Sequence, residues 1–305
     1  MSRVLRLINR ASGAPVPLAP PLLVSRPRPP VVRSTRMPDA SSPIGIYDSG
    51  AGGLAVLAEL RALLPGEDVI YYADTAFFPY GPRPPAEIRA RAEAVARDLL
   101  ARDVKLIVVA CNTATSAAIA QLRAAFDVPF VGMEPALKPA AARTLSGRVA
   151  LLVTPGTARG QKLAALIDRY GAEVTVDTIE APGLAERVEA GDLDGGETLA
   201  LLRRYFAPLR VSGADVLVLG CTHYAFLRGI IERELGDGVL VLEPSAAVAR
   251  QAARVLRDAR LLNPRPAGGS VVYLTSGDED HCGDIRRRLR VAGLAIPDEA
   301  AVGGR

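Results

Sequence analysis

Two segments of this chain are apolar at every position for the length of a strand: LIVVA at 106–110 and VLVLG at 216–220. A strand with one wet face alternates apolar and polar residues. One that does not alternate is covered on both faces, as in a parallel sheet between two layers of helices. The same character recurs from residue 43 onward. Strands are expected at 42–48, 68–74, 104–110 and 128–133, and again at 148–154, 172–178, 215–220 and 239–244. Helix-like segments lie between them, such as LAVLAELRALL (54–64) and the Arg/Ala/Glu-rich 86–102. Strands alternating with helices specify an α/β fold.

The pattern also repeats. In the first half a polar turn begins at Asp48, a cysteine ends a strand at 111, and Glu134-Pro135 follows. In the second half the turn begins at Thr154, the cysteine is 221, and the Glu-Pro pair is Glu243-Pro244. The intervals are 63 and 23 residues, then 67 and 22. Three landmarks in register point to a duplicated α/β unit, and 305 residues suffice for two such units with real cores. Ligands of open parallel sheets bind beyond the carboxyl ends of the strands. Two units facing each other would therefore share one cleft, each bringing one thiol.

Charge and composition narrow the function. The chain is +4 overall, but residues 1–42 hold seven arginines against Asp39, a net +6, so residues 43–305 carry −2. The basic pI belongs to the tail, and the folded part lacks the basic patch and the aromatic platforms of a nucleic-acid binder, with 5% aromatics and no tryptophan. The tail is also proline-rich and without periodicity, so disorder is expected over 1–42. Its arginines faintly suggest a transit peptide, but a start at Met37, just before the first strand, explains it more simply. No run approaches 20 apolar residues, which excludes a membrane-spanning helix. Three cysteines make no disulfide framework, and a reducing cytoplasm is expected.

The candidate chemistry sits in the turns after the strands. DSGAGGL (48–54) lacks both the G-x-G-x-x-G spacing and the lysine of a phosphate loop, and Asp48 would repel a pyrophosphate. Two readings stay open for it: Asp48 or Ser49 capping the next helix, or a carboxylate at the rim of the cleft. Cys111 and Cys221 are each followed by hydroxyl-bearing turns, Asn112-Thr113 and Thr222-His223. If those turns open helices, the free N–H groups would hold a carboxylate and lower the thiol pKa. His223, two residues after Cys221, is a candidate proton partner. One cysteine and one histidine per turn is thin for zinc, so no metal is expected. His281 lies in a charged segment that reads as exposed, and the neighbouring Cys282 fits neither pattern. Two facing thiols can remove a proton from one face of a carbon and return one to the other, with no cofactor.

The segments DSGAGGL, ADTAFFPYG, ACNTATS, GMEPALKPAA and LGCTHYAFL together resemble the glutamate racemases, within the cofactor-independent Asp/Glu racemase superfamily. The resemblance runs from about Ile44 to Asp278. It implies interconversion of L- and D-glutamate for bacterial peptidoglycan, with Cys111 acting on D-glutamate and Cys221 on L-glutamate. It implies that Asp48 assists Cys111, that His223 assists Cys221, and that Glu189 is a further acid on the second side. Ser49, Asn112, Thr113 and Thr222 would hold the amino and α-carboxylate groups, together with Asp48 and His223, while Tyr80, Gly81 and Thr157 would receive the side-chain carboxylate. The family's architecture implies domains of 43–137 plus 244–305 and of 138–243, and a homodimer. Three positions depart from the family's usual residues: Ala225 for proline, Gly160 for serine, and Glu243-Pro244 for Asp-Ser. The alternatives are an aspartate or hydantoin racemase of the same superfamily, and a gyrase-binding role to which the basic tail could contribute.

Overall fold

The computed structural model of the chain describes residues 38–171, 174–291 and 295–298. The first unit runs β1 (Ile44–Asp48), α1 (Leu54–Leu63), β2 (Val69–Ala73), α2 (Pro85–Leu100), β3 (Leu106–Val109), α3 (Asn112–Ala125) and β4 (Phe130–Gly132). The second runs α4 (Leu137–Ala141), β5 (Arg148–Val153), α5 (Pro155–Ala158), α6 (Gln161–Tyr170), β6 (Thr175–Glu180), α7 (Leu184–Glu189), α8 (Gly196–Ser212), β7 (Val216–Gly220), α9 (Arg228–Leu235) and β8 (Leu240–Leu242). The chain then returns through α10 (Ser245–Asp258), β9 (Val271–Thr275) and α11 (Glu279–Val291).

Both sheets are wholly parallel, in the orders β4-β3-β1-β2-β9 and β6-β5-β7-β8. Read by position in the repeat, the second sheet has the same order as the first four strands of the first. The duplication in sequence is thus a duplication in topology. The fifth strand, β9, pairs with β2 and gives the first sheet a strand that the second lacks.

Each apolar strand is covered on both sides. In the first sheet Ile44, Ile46 and Val108 face Leu57, Leu60, Val248 and Leu256 of α1 and α10. On the opposite face Tyr47, Ile107 and Val109 pack on Val95 and Leu99 of α2 and on Leu122 of α3. In the second sheet Leu152, Leu217 and Leu219 meet α7, α8 and α9, while Val149, Leu151 and Val218 meet α4 and α6. Burying each such side chain stabilises the fold by roughly 1.5–3 kcal/mol, which is why non-alternating strands choose this architecture.

In both sheets the chain leaves the first strand of the repeat to one side and the third to the other. The crevice of each therefore opens between β1 and β3, paired at Tyr47↔Val109, and between β5 and β7, paired at Val153↔Gly220. Asp48 ends β1, and Cys111 follows β3 after one residue. Thr154 follows β5, and Cys221 follows β7.

Three expectations are corrected. Residues 39–42, assigned to the disordered tail, form a turn: Asp39 Oδ1 accepts from Ser41 N at 2.8 Å, and Lys105 Nζ donates to Ala40 O at 2.6 Å. That lysine is buried against Glu67 at 2.6 Å, so an ion pair below the first sheet anchors the chain's entry. The rest of that expectation, residues 1–37, lies outside the described residues. The strand expected at 172–178 is observed at Thr175–Glu180, because Thr175 is the residue that pairs with Arg148; 172 and 173 are outside the described residues. Neither β9 nor α11 was expected. The charged stretch around His281, which is exposed, is α11 itself.

Candidate functional site

The turn 48–53 caps nothing with a side chain. α1 begins at Leu54 behind Gly53, with no side-chain cap, and the Asp48 side chain is fully buried. Its Oδ1 accepts from Ser49 N at 2.6 Å, and its Oδ2 accepts from the Thr222 hydroxyl at 3.1 Å. Neither reading holds as expected: Asp48 caps no helix, and its carboxylate is fully buried behind the cavity wall rather than at a rim. The glycines have a steric reason. A Cβ at Gly50 would sit 2.0 Å from Glu189 Oε1, and one at Gly52 would sit 2.5 Å from both His223 Nδ1 and Thr222 Oγ1. They are small so that the second unit can approach the backbone, a different task from cradling a phosphate.

Cys111 is the N-cap of α3, and its sulfur accepts from Ala114 N at 3.4 Å. Ser49 Oγ lies 3.8 Å away. The helix field was expected to lower this thiol's pKa, and it does not prevail. Burial pushes it well above its ordinary value, and the Asp48 charge pushes the same way, with the Ala114 N–H opposing. Asp48 itself is raised, by burial first, with the His223 charge pulling it back.

The second turn differs. Cys221 is followed not by an α-helix but by a 3-10 segment, Thr222–Leu227, and its sulfur caps nothing. That corrects the expectation of a second helix N-terminus. In its place stands His223, with Nδ1 3.8 Å from Cys221 Sγ and Nε2 2.7 Å from Glu189 Oε1. Burial pulls His223 down, but hydrogen bonds to Cys221 and Glu189, and their charges, raise it well above the ordinary histidine value. Glu189 Oε1 also accepts from Ala51 N at 2.6 Å. The halves are therefore cross-wired: Glu189 ties the histidine to the first unit's turn, and Thr222 ties the second thiol's turn to Asp48.

Both sulfurs line one cavity of about 110 Å³, small enough to suit a small molecule rather than a nucleotide. Ser49, Tyr80, Gly81, Asn112, Thr113, Thr222 and His223 share its wall. Asn112 is buried, with neither side-chain atom hydrogen-bonded, an unmet donor and acceptor that a bound polar ligand would satisfy. Asp48 and Glu189 stand behind this wall. Thr157 does too, since its hydroxyl lies 3.2 Å from Thr113 Oγ1 and 3.0 Å from Thr154 Oγ1, within a cluster joining the two units. A larger cavity of about 790 Å³ lies between β9 and α11, reaching Glu189 and Cys282 but neither Cys111 nor Cys221. Among the described residues no group of three or more His, Cys, Asp or Glu side chains is placed to hold a metal. Nor is any described helix long and apolar enough to cross a membrane.

Sequence reasoning missed several contributors. Tyr71 donates to Gly50 O at 2.7 Å and supports the turn from below. The Phe78 ring lies 5.4 Å from the His223 ring. Asp74, fully buried, binds the Tyr80 hydroxyl. It ends the second expected strand much as Asp48 ends the first, and that position was the available signal. Two departures also find their reason. A Cβ at Gly160 would lie 1.9 Å from Ser116 Oγ, so Ser116 fills the space a serine at 160 would need. Glu243 Oε2 accepts from Ser245 N at 2.8 Å and so holds the start of α10.

Residues 53–252 match the Asp/Glu/hydantoin racemase family. A glutamate racemase of Herpetosiphon aurantiacus is 51% identical over 249 residues, which span 82% of this chain and 98% of that protein. Among solved structures, a glutamate racemase isoform of Bacillus anthracis is similar with a TM-score of 0.75 at 29% identity, covering 87% of this chain and 99% of that one. The Escherichia coli glutamate racemase, solved with L-glutamate and the activator UDP-MurNAc-ala, gives a TM-score of 0.73 at 33% identity, covering 86% and 100%.

Proposed function

The chain belongs to the Asp/Glu/hydantoin racemase family, and from that premise we propose that it interconverts L- and D-glutamate by two-thiol proton transfer at Cα. The observation that carries the reading is that Cys111 and Cys221, on equivalent turns of the two units, line the same small cavity.

The Cα–H of an amino acid is a very weak acid. The site must supply a base on one face, an acid on the other, and fixed donors for the enediolate charge between them. With its pKa raised, Cys111 rests as a thiol. His223 rests as an imidazolium and sets a positive charge 3.8 Å from the Cys221 sulfur. The free site thus keeps a proton on Cys111 and a positive charge beside Cys221. For L-glutamate, Cys221 takes the Cα proton and Cys111 delivers its own to the opposite face. For D-glutamate the roles reverse, starting from the form that the L-direction leaves behind, with the proton on Cys221 and Cys111 as the thiolate. Asn112 and the first N–H groups of α3 hold the α-carboxylate, and Ser49, Thr113 and Thr222 complete the hold on the amino and carboxylate groups. Tyr80 and Gly81, with Thr157 behind, receive the side-chain carboxylate. No cofactor is required. The protein acts in the cytoplasm, as a homodimer, supplying D-glutamate for peptidoglycan. Residues 43–137 with 244–305 form one domain and 138–243 the other.

The test is a chiral-product assay in deuterated water, on L-glutamate and L-aspartate, with no added cofactor. The expected result is D-glutamate labelled at Cα and little reaction of aspartate. Aspartate turned over as fast as glutamate would overturn the substrate assignment.

A further inference from the structure

The loop 75–83, between β2 and α2, supplies Tyr80 and Gly81 to the cavity wall and Phe78 to the His223 ring. Beyond a short 3-10 turn at Thr75–Phe77 it has no regular structure of its own. What holds it is a buried charge. Asp74, the residue before the loop, accepts from Arg91 Nη2 at 2.7 Å through Oδ1, and from Arg91 Nε at 3.1 Å through Oδ2. The same Oδ2 accepts from the Tyr80 hydroxyl at 2.5 Å. Tyr80 in turn accepts from Tyr47 OH at 2.7 Å. The Arg91 guanidinium lies 3.9 Å over the Phe77 ring.

A carboxylate taken fully out of water is tolerable only when well paired, and a two-point guanidinium fork fixes its orientation as well as its charge. A carboxylate so held points Oδ2 in one direction, and the Tyr80 hydroxyl follows it. Burial, and then the Asp74 charge, raise the Tyr80 phenol, so this hydroxyl remains a donor to Asp74. Arg91 is anchored in the second turn of α2, so the helix sets the loop.

We propose that Arg91, acting through Asp74, is a positioning residue for the side-chain carboxylate of the substrate: the pair fixes Tyr80 and Gly81 at the distance from the two thiols that a glutamate side chain spans. The proposal rests on the glutamate racemase reading above. An ion pair serving stability alone would leave substrate binding unchanged when weakened, and that difference is measurable.

The experiment uses the full chain carrying Arg91→Gln, Arg91→Lys or Asp74→Asn, with KM and kcat for L-glutamate and L-aspartate and a thermal unfolding midpoint. Arg91→Gln is expected to raise the KM for glutamate about tenfold, a typical effect of losing a hydrogen bond to a charged group. Its kcat should fall by less than about threefold, and its preference for glutamate over aspartate should narrow. Arg91→Lys, which restores charge without the fork, should fall between it and the unaltered protein. A folded Arg91→Gln variant with unaltered KM, or a loss carried wholly by kcat, overturns the proposal. If the glutamine variant does not fold, the lysine variant decides by the same criterion. Unaltered protein inactive on glutamate would overturn the functional reading and this proposal together, whereas active protein with an indifferent Arg91 overturns this one alone.

Discussion

The turns around Cys111 and Cys221 begin alike, each at the end of a buried parallel strand in the same place in its sheet, and end differently. The first opens an α-helix, puts the sulfur on an N–H of that helix, and sets a buried carboxylate nearby. The second opens a 3-10 segment and puts an imidazole against the sulfur. Duplication supplied two thiols at one cavity. The surroundings then gave them opposite tendencies, Cys111 to keep its proton and Cys221 to face a positive charge. A two-base reaction needs such inequality, because two thiols or two thiolates together cannot both give and take a proton.

That inequality can be broken from either side. The larger effect is expected at Asp48, whose carboxylate helps to hold the Cys111 proton. Asp48→Asn should lower racemisation by about a hundredfold, in the range for a proton-transfer partner. It should also let Cys111 alkylate at lower pH, read peptide by peptide by mass spectrometry. An alkylation profile that does not move would show that the charge of Asp48 does not reach the thiol. A smaller effect is expected at Glu189. With the folded His223 value raised, the imidazolium persists above the ordinary histidine range and is lost as pH rises through that raised value. Glu189→Gln removes one of the groups raising it, so the alkaline fall in activity should move to lower pH. At neutral pH the loss should be about tenfold, the effect of one lost hydrogen bond to a charged group. An alkaline limb that stays in place would contradict the assignment of that limb to His223.

Much of this was legible in the sequence, for identifiable reasons. Strands such as LIVVA and VLVLG show their burial in every residue, and the spacing of Asp48, Cys111 and Glu134 against Thr154, Cys221 and Glu243 carried the duplicated topology. The two thiols were visible because chain position alone puts them at strand ends. What stayed hidden depends on tertiary distance. Glu189 meets Ala51 across 138 residues, and Thr222 meets Asp48 across 174. The reason for the glycines at 50 and 52 appears only once Glu189 and His223 are in place. The edge strand β9, half-buried along most of its length, is less uniformly covered than β3 or β7. The thiol pKa was misjudged for a related reason: sequence shows the helix start but not how completely the sulfur is enclosed.

The central claim is that both sulfurs exchange protons with the same carbon, one from each side. The most direct measurement is the racemisation rate of Cys111→Ala and of Cys221→Ala, each assayed alone with L-glutamate and with D-glutamate. Each variant is predicted to lose at least about a thousandfold of the rate in both directions, since either missing sulfur leaves one face without its acid or base. Either variant racemising at close to the original rate would contradict the two-thiol account.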